Sequence, residues 1–185
     1  ITFLEDDIFR YNVDPSGEFS EYAKPKSDAH KARIQAQPDS SSKYNHPDAQ
    51  VKAEGDRFVI TSGDTTIEFA KDSALMTVKR GGKVVMEETS PLDVDKAGTV
   101  QTLKKHDGED FFGGGTQNGR FIHTGNTINI ANESNWVDGG GASPNPFYWS
   151  DNGYGVMRNT FADGSYDFGA TDAGVTTARH NENEL

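Results

Sequence analysis

Cysteine is absent from the 185 residues of this chain, and so is any long apolar run. Without cysteine, the chain can hold no disulfide framework, no thiolate metal site and no thiol nucleophile. This absence does not fix the compartment, which stays open between the cell surface or exterior and the cytoplasm. A membrane helix needs roughly 20 consecutive apolar residues, and no stretch approaches that length. We therefore expect no membrane partner.

Positive charge is also scarce. Lysine and arginine total 18 against 29 aspartate and glutamate residues, which gives a formal net charge of −11 at pH 7. This charge would repel a phosphate backbone, so nucleic acid is excluded as a partner. The glycines at 113–115 are not followed by the Lys-Ser/Thr pair of a phosphate loop. The sequence therefore predicts no cofactor.

Segments with helical periodicity are few, whereas short alternating segments between turn residues are many. Two hairpins are indicated most clearly, because Gly63-Asp64 and Gly81-Gly82 are two-residue turns between such segments. The predicted strands are 1–4, 8–13, 57–62, 65–69, 74–80, 83–88, 99–106, 127–131 and 174–179, with further hairpins at 147–158 and across 163–164. This pattern predicts an all-β fold, an antiparallel β-sandwich in one domain over residues 1–185.

Residues 20–50 interrupt this pattern. Pro25, Pro38 and Pro47 break any periodicity, so we expect a long irregular insertion with a short helical turn near 29–34. His30 and His46 lie within it, but neither has a second ligand at a useful spacing. We predict no metal site here.

The stretch 110–169 holds both tryptophans, most of the glycines and many amide and carboxylate side chains. An aromatic ring can stack on the CH face of a sugar while neighbouring polar groups bond to its hydroxyls. Asn135, Trp136 and Asp138 combine these groups in one loop and are our candidate substrate-binding residues. The alternative, that the aromatic residues at 147–149 are core and the glycine clusters are turns, stays open.

Several motifs in this order resemble glycoside hydrolase family 31. They are the opening FLEDDIFR, then DFFGGG, then the Asn135-Trp136 segment, and finally PFYWS followed by GYGV. In that family such motifs stand just ahead of the catalytic barrel. The resemblance implies a galactose-mutarotase-like sandwich at the N-terminus of an enzyme that acts on an α-linked sugar or glycan. Because the chain opens on Ile1 without methionine and ends on a polar run, we also expect it to be a segment of a longer protein.

The resemblance further implies where the chemistry lies. The family's catalytic aspartate pair belongs to a downstream (β/α)₈ barrel, which we expect as a partner in the same polypeptide, so no catalytic residue is predicted here. A loop of the sandwich, by position residues 132–141, reaches the barrel mouth, so Asn135, Trp136 and Asp138 are expected at the rim of the sugar pocket. The sandwich would also brace the barrel through an exposed apolar patch.

Departures from the family pattern bear on specificity. Gly114-Gly115-Thr116 stands where many members have Leu-Gly-Glu, and residues 158–160 also differ from the common sequence. These differences are typical of a subgroup other than the common α-glucosidases. The segments GGGTQNGRF and NWVDGG are most similar to the α-N-acetylgalactosaminidase-like members.

Two other functions remain as alternatives. A stand-alone carbohydrate-binding module would use Trp136, Tyr148 and Trp149 as a stacking platform. A mutarotase-type enzyme would need a histidine acting with a carboxylate, and His123 with Glu133 is the central pair that could serve.

Overall fold

The computed structural model describes residues 1–19, 27–36, 43–95, 97–182 and 185. Within these ranges the chain forms one helix and fifteen strands, and every strand pairing is antiparallel. In chain order the elements are β1 (Thr2–Glu5), β2 (Ile8–Arg10), α1 (Asp28–Ala36), β3 (Gln50–Glu54), β4 (Arg57–Ser62), β5 (Thr65–Ala70), β6 (Met76–Arg80), β7 (Lys83–Glu87), β8 (Asp93–Asp95), β9 (Gly98–Lys104), β10 (Phe111–Gln117), β11 (Thr127–Ile130), β12 (Gly141–Ser150), β13 (Tyr154–Met157), β14 (Gly164–Phe168) and β15 (Val175–His180).

The first large sheet is a meander of five strands in the order β3-β4-β5-β6-β7. Its two predicted hairpins are confirmed: Ser62 pairs with Thr65 and Arg80 pairs with Lys83 across the two-residue turns. Both glycines at 81–82 have positive φ, which such turns require for a twist that matches the strands. Consecutive hairpins therefore build this sheet from neighbours in sequence.

The second sheet has the order β11-β14-β15-β9-β8, and the third has the order β10-β12-β13. The predicted strands at 99–106, 127–131 and 174–179 are confirmed as β9, β11 and β15 with slightly different ends. The hairpin across residues 151–153 is confirmed as well, because Ser150 pairs with Tyr154. β15 lies at the centre of its sheet although it is the last strand in sequence.

The hairpin predicted across Asp163-Gly164 is wrong. β13 pairs with β12 in the third sheet, whereas β14 pairs with β11 and β15 in the second, so residues 158–163 cross between sheets. Buried Arg158 fixes this crossing by a 2.9 Å hydrogen bond to the Thr99 hydroxyl. Glycine is needed at position 164 for close strand packing and not for a turn, because a Cβ there would collide with the Arg179 carbonyl oxygen on β15.

The core consists of two hydrophobic clusters that share Tyr154 and Val156 of β13. The first lies on the β3–β7 meander and includes Phe3, Ile67, Met76, Val78, Val85, Met86 and Leu103. The second lies under the other sheets and includes Phe111, Ile128, Ile130, Tyr148, Tyr166, Phe168 and Ala178. Packed antiparallel sheets of this kind confirm the all-β sandwich.

The predicted irregular insertion contains a helix. The expected helical turn at 29–34 lies within α1, a helix of nine residues, and Gln50 already belongs to β3. Residues 20–26 and 37–42 of the insertion lie outside the described residues.

Candidate functional site

The loop between β11 and β12, residues 131–140, is held in shape by one residue outside it. The Asn118 side-chain amide donates hydrogen bonds to the carbonyl oxygens of Asn135 at 2.8 Å and Val137 at 3.0 Å. The Asn118 backbone donates to Gly140 and accepts from Gly139. A loop with this many fixed backbone groups presents its side chains in a defined arrangement. The sequence analysis missed Asn118, whose signal was an amide residue directly before Gly119 at the end of a strand.

Asn135 shapes the loop from within. Its backbone N–H donates to the Gly141 carbonyl oxygen, and its side-chain Oδ1 accepts from the Val137 N–H at 3.3 Å. A Cβ on Gly140 would overlap the Asn135 carboxamide, so glycine is needed there for close packing. Asn135 is half-buried, and its side-chain oxygen bonds to a backbone group of its own loop.

Trp136, Val137 and Asp138 form the tip of the loop. The Trp136 side chain is 75% exposed and Val137 is 65% exposed. Asp138 is also exposed, and its carboxylate lies next to Gly119, where an added Cβ would be 3.7 Å from Oδ1. The structure thus brings the three predicted residues together, with the ring and the carboxylate directed to solvent and the amide turned into the loop.

A second feature is an apolar surface formed by the third sheet and the loop after β10, which we call the aromatic face: Phe112, Phe121, Phe147, Trp149 and Met157. The rings of Phe112 and Trp149 stack with centroids 4.2 Å apart and an interplanar angle of 16°. Phe121 packs on Phe112 at 5.5 Å, and Phe147 pairs with Met157 across β12 and β13. Phe147 and Trp149 are two residues apart on β12, so these side chains lie on the same side of the sheet.

The aromatic platform predicted for a stand-alone binding module is wrong at Tyr148. Side chains alternate across a strand, so Phe147 and Trp149 are exposed on β12 while Tyr148 points into the second cluster, where it is 2% exposed. It contacts Phe111, Tyr166 and Phe168 there. The alternative reading of residues 147–149 as core holds for Tyr148 alone.

A groove lies beside the aromatic face, between the β1–β2 and β12–β13 hairpins. It comprises two neighbouring cavities of about 510 and 430 Å³. Both are lined by Asp7, Phe9, Met86, Phe147 and Gly155. We call it the Phe147 groove.

Buried ionisable groups are held by internal hydrogen bonds. Glu109 accepts from the Ser150 hydroxyl and the His106 N–H, and Glu88 accepts from Gln101 Nε2 and the Met76 N–H. Burial raises the pKa of Glu88. Both carboxylates are therefore engaged inside the sandwich and do not reach its surface.

The mutarotase pairing of His123 with Glu133 has no support in the geometry. His123 is only 2% exposed, its Nε2 lies 3.0 Å from the Gly113 carbonyl oxygen, and its ring packs on Phe168. Burial lowers the pKa of His123, so the ring is neutral. A sugar cannot reach this imidazole, whereas Glu133 is exposed on the loop.

Within the described ranges, no cluster of three or more histidine, aspartate or glutamate side chains is placed to hold a metal ion. Nor does α1, the helix in this part of the chain, have the length and apolar character to cross a bilayer.

Comparison with known proteins identifies relatives of the whole fold. The family model for the glycosyl hydrolase 31 N-terminal galactose mutarotase-like domain matches residues 1–167. No curated protein sequence matches the chain.

Three solved structures illustrate the structural likeness. A Flavobacterium johnsoniae GH31 dextranase complexed with glucose is 16% identical with a TM-score of 0.68, over 74% of this chain and 18% of its own. A GH31 α-xylosidase from a soil metagenome complexed with xylose is 20% identical with a TM-score of 0.62, over 74% of this chain and 23% of its own. The cycloalternan-forming enzyme of Listeria monocytogenes, in complex with a pentasaccharide substrate, is 16% identical with a TM-score of 0.67, over 72% and 14%. These likenesses concern the fold, and the chain spans less than a quarter of each of these proteins.

Proposed function

Because the chain belongs to the N-terminal galactose mutarotase-like domains of glycoside hydrolase family 31, we propose that it is the non-catalytic sandwich domain of an enzyme that hydrolyses α-linked glycosides. The observation that carries this proposal is the family match over residues 1–167. The structural relatives named above include a dextranase and an α-xylosidase, both with a sugar bound. A downstream (β/α)₈ barrel in the same polypeptide supplies the catalytic carboxylates.

The internal carboxylates are consistent with a domain that performs no catalysis itself. A glycosidase needs two carboxyl groups that reach the scissile bond from opposite sides, about 5–5.5 Å apart for a retaining enzyme. Glu88 and Glu109 are each only 3–4% exposed and are engaged in internal hydrogen bonds, so a substrate does not reach them.

The loop at residues 132–141 contributes to the rim of the sugar pocket in this proposal. It is supported by the rigid attachment of the loop to Asn118 and by the exposed ring of Trp136 beside the exposed carboxylate of Asp138. A stacking surface and a hydrogen-bond acceptor in a preformed loop are what a sugar ring requires. Asn135 supports this loop and has a positioning role.

Activity of the full-length polypeptide is the first test. We expect it to hydrolyse one member of a panel of para-nitrophenyl α-glycosides, including α-glucoside, α-xyloside and α-N-acetylgalactosaminide, whereas the 185-residue chain alone is inactive. The preferred glycoside identifies the subgroup. Hydrolysis by the 185-residue chain alone would contradict the assignment of catalysis to a downstream domain.

Asp138→Ala in the full-length polypeptide tests the rim. Loss of one charge-assisted hydrogen bond to a sugar hydroxyl should lower kcat/KM by about 1.5–3 kcal/mol of transition-state stabilisation, roughly 10- to 150-fold. Asp72→Ala is the matched control, because Asp72 is an exposed aspartate in the turn between β5 and β6. If D138A and D72A leave kcat and KM equally unchanged, Asp138 does not border the substrate.

A further inference from the structure

Two Asn-Gly pairs occur in the sequence, Asn118-Gly119 and Asn152-Gly153, and both lie in turns. Asparagine followed by glycine is chemically labile, because glycine has no side chain to hinder attack of its backbone nitrogen on the asparagine carboxamide. The first pair follows β10, and the second connects β12 with β13. The structure gives the two pairs different surroundings, although their chemistry is the same.

The Asn152-Gly153 pair is held at both of its reacting groups. The Gly153 N–H, which would be the nucleophile, donates to the Ser150 carbonyl oxygen at 3.1 Å. The Asn152 carboxamide, which would be attacked, donates to the Val85 carbonyl oxygen at 2.8 Å. Val85 is a buried residue of β7, so this acceptor is fixed in a strand of the meander. Release of the pair therefore requires part of the sandwich to open.

The Asn118-Gly119 pair is held less firmly. Gly119 is exposed, and among the described residues none accepts a hydrogen bond from its N–H. Water and base therefore reach the nucleophile. The Asn118 carboxamide does donate to the carbonyl oxygens of Asn135 and Val137, but both acceptors lie in a loop and not in a strand. Loops open locally at a lower free-energy cost than strands, so this carboxamide is the more easily released of the two.

We propose that Asn118 is a deamidation site and that its deamidation releases the loop at residues 131–140. The Gly119 nitrogen gives its proton to base and forms a bond to Asn118 Cγ. The bond from Cγ to Nδ2 breaks, and ammonia leaves with a proton from solvent. Water then adds to one carbonyl carbon of the cyclic imide and breaks its bond to the Gly119 nitrogen. Attack at Cγ gives aspartate, and attack at the main-chain carbonyl carbon gives isoaspartate. The reaction consumes only water, so it is independent of the proposed function.

The product reverses the hydrogen bonds that Asn118 makes to the loop. A carboxylate accepts hydrogen bonds and cannot donate them, so both bonds to the carbonyl oxygens of Asn135 and Val137 are lost. The new charge faces these oxygens, and the Asp138 carboxylate beside the same turn repels it. Isoaspartate in addition routes the main chain through the former side chain, which displaces the backbone groups that pair with the end of the loop. Trp136, at the loop tip, loses its fixed position.

Peptide mapping by mass spectrometry of the full-length protein, aged in a mildly alkaline buffer, tests the modification. Asn118 and Asn152 are a matched pair within every molecule, and a sample unfolded in urea gives their rates without structure. We expect Asn118 to deamidate several-fold faster than Asn152 in the folded protein and at a similar rate in urea. Gly119→Ala should slow the reaction at Asn118 several-fold and leave Asn152 unchanged. A ratio of the two rates that is no larger in the folded protein than in urea overturns the proposal.

Hydrogen exchange of the same aged samples tests the release of the loop. We expect backbone amides of residues 131–140 to exchange several-fold faster in the deamidated fraction than in the intact one. Asn118→Asp carries the product carboxylate on a normal main chain and should show the same increase, whereas Asn152→Asp should leave the loop unchanged. Exchange of the loop that does not change with deamidation overturns the proposal. Exchange that rises equally in β11 and β14 also overturns it, since the sandwich as a whole would then have opened.

Discussion

Two sheets of the sandwich have faces of opposite chemical character, one charged and one apolar. On β4, β5 and β6, Glu68 lies between Arg57, at 2.8 Å, and Lys79, so the face is a row of ion pairs. On β10, β12 and β13, the corresponding row consists of stacked rings and a methionine. The first composition is that of a surface in water. The second is an apolar composition that is unusual for a surface in water.

Phe58 is an exposed aromatic residue in a different setting. It is about as exposed as Phe147, it is paired with Phe69 across β4 and β5, and the Lys71 ammonium lies 5.2 Å from its ring centroid. A cation over the ring provides a polar partner on the solvent side. The rings of Phe112, Phe121 and Trp149 contact one another, whereas Phe58 has a cation over its ring and Phe69 beside it on the next strand.

The largest expected effect separates the two sides of β12. Tyr148→Ala removes a ring that packs in the second cluster and should lower the free energy of unfolding by about 3–5 kcal/mol, as for other buried aromatic residues. Trp149→Ala removes a half-exposed ring stacked on Phe112 and should cost only about 1 kcal/mol within the sandwich. Urea unfolding measures both. Equal losses would mean that the aromatic face belongs to the core.

An intermediate effect distinguishes the glycines of the two regions. Gly115 in β10 has a φ of +79°, and a Cβ there would collide with the Ser143 carbonyl oxygen on β12. Gly81 in the meander has a φ of +54° with no atom within 4 Å of a Cβ. Gly81→Ala should therefore cost only the left-handed backbone, about 1–2 kcal/mol.

Gly115→Ala should lower the free energy of unfolding by about 1–3 kcal/mol more than Gly81→Ala, because the backbone of β10 or β12 must also move. Thermal unfolding of the two variants gives the comparison. Similar melting temperatures for G115A and G81A would show that β10 and β12 can separate without loss, and that the glycine cluster is not required for their close approach.

The smallest expected effect is on how the free energy of unfolding depends on pH, to which two glutamates contribute. The Lys79 ammonium holds the pKa of Glu68 below its ordinary value of 4.5, so this ion pair stabilises the fold above pH 4.5 and its contribution is lost as pH falls through the lowered pKa. Glu68→Gln should cost less than about 1 kcal/mol at pH 7, and nothing once the pH is below that lowered pKa. Urea unfolding across pH measures it.

Glu88 changes the stability in the opposite direction as pH rises. Burial raises its pKa above 4.5, so the folded state binds the proton more tightly and stability falls as pH rises from 4.5 through the raised pKa. In Glu88→Gln this part of the pH dependence should disappear. If both variants change the pH slope in the same direction, the contrast between a paired surface carboxylate and a buried one is wrong.

Much of the meander could be predicted from sequence because its turns are two residues long and contain glycine at Gly63 and Gly81-Gly82, which fixes the register locally. Which side chains of β12 face the core could not be predicted, because Phe147, Tyr148 and Trp149 are all aromatic and the alternation gives no contrast between the two faces. The turn predicted at Asp163-Gly164 is wrong for a related reason: glycine occurs both in turns and at close strand contacts, and only the position of the Arg179 carbonyl group distinguishes the two.

The candidate loop could be located from its residue types, but its support could not. Trp136 and Asp138 share a short loop, and the structure places both at its tip. Asn118 is distant in sequence from the carbonyl groups that it binds, so no spacing rule reveals it. Long-range hydrogen bonds to backbone become apparent only when the sheet brings β10 beside β12.

The central place of β15 has a consequence for biosynthesis. A ribosome releases the chain from its N-terminus at about 5–20 residues per second, and the β3–β7 meander can fold as it emerges because its contacts are local. The sheet β11-β14-β15-β9-β8 cannot assemble in the same way, since β15 joins its two halves and is the last of the described strands to be made. Until Val175–His180 has left the ribosome, the nascent chain has all the strands of its other sheets, whereas this sheet is divided. The inner edges of β9 and β14 are then free to pair with other chains, and this interval is when a nascent-chain chaperone would protect the protein most.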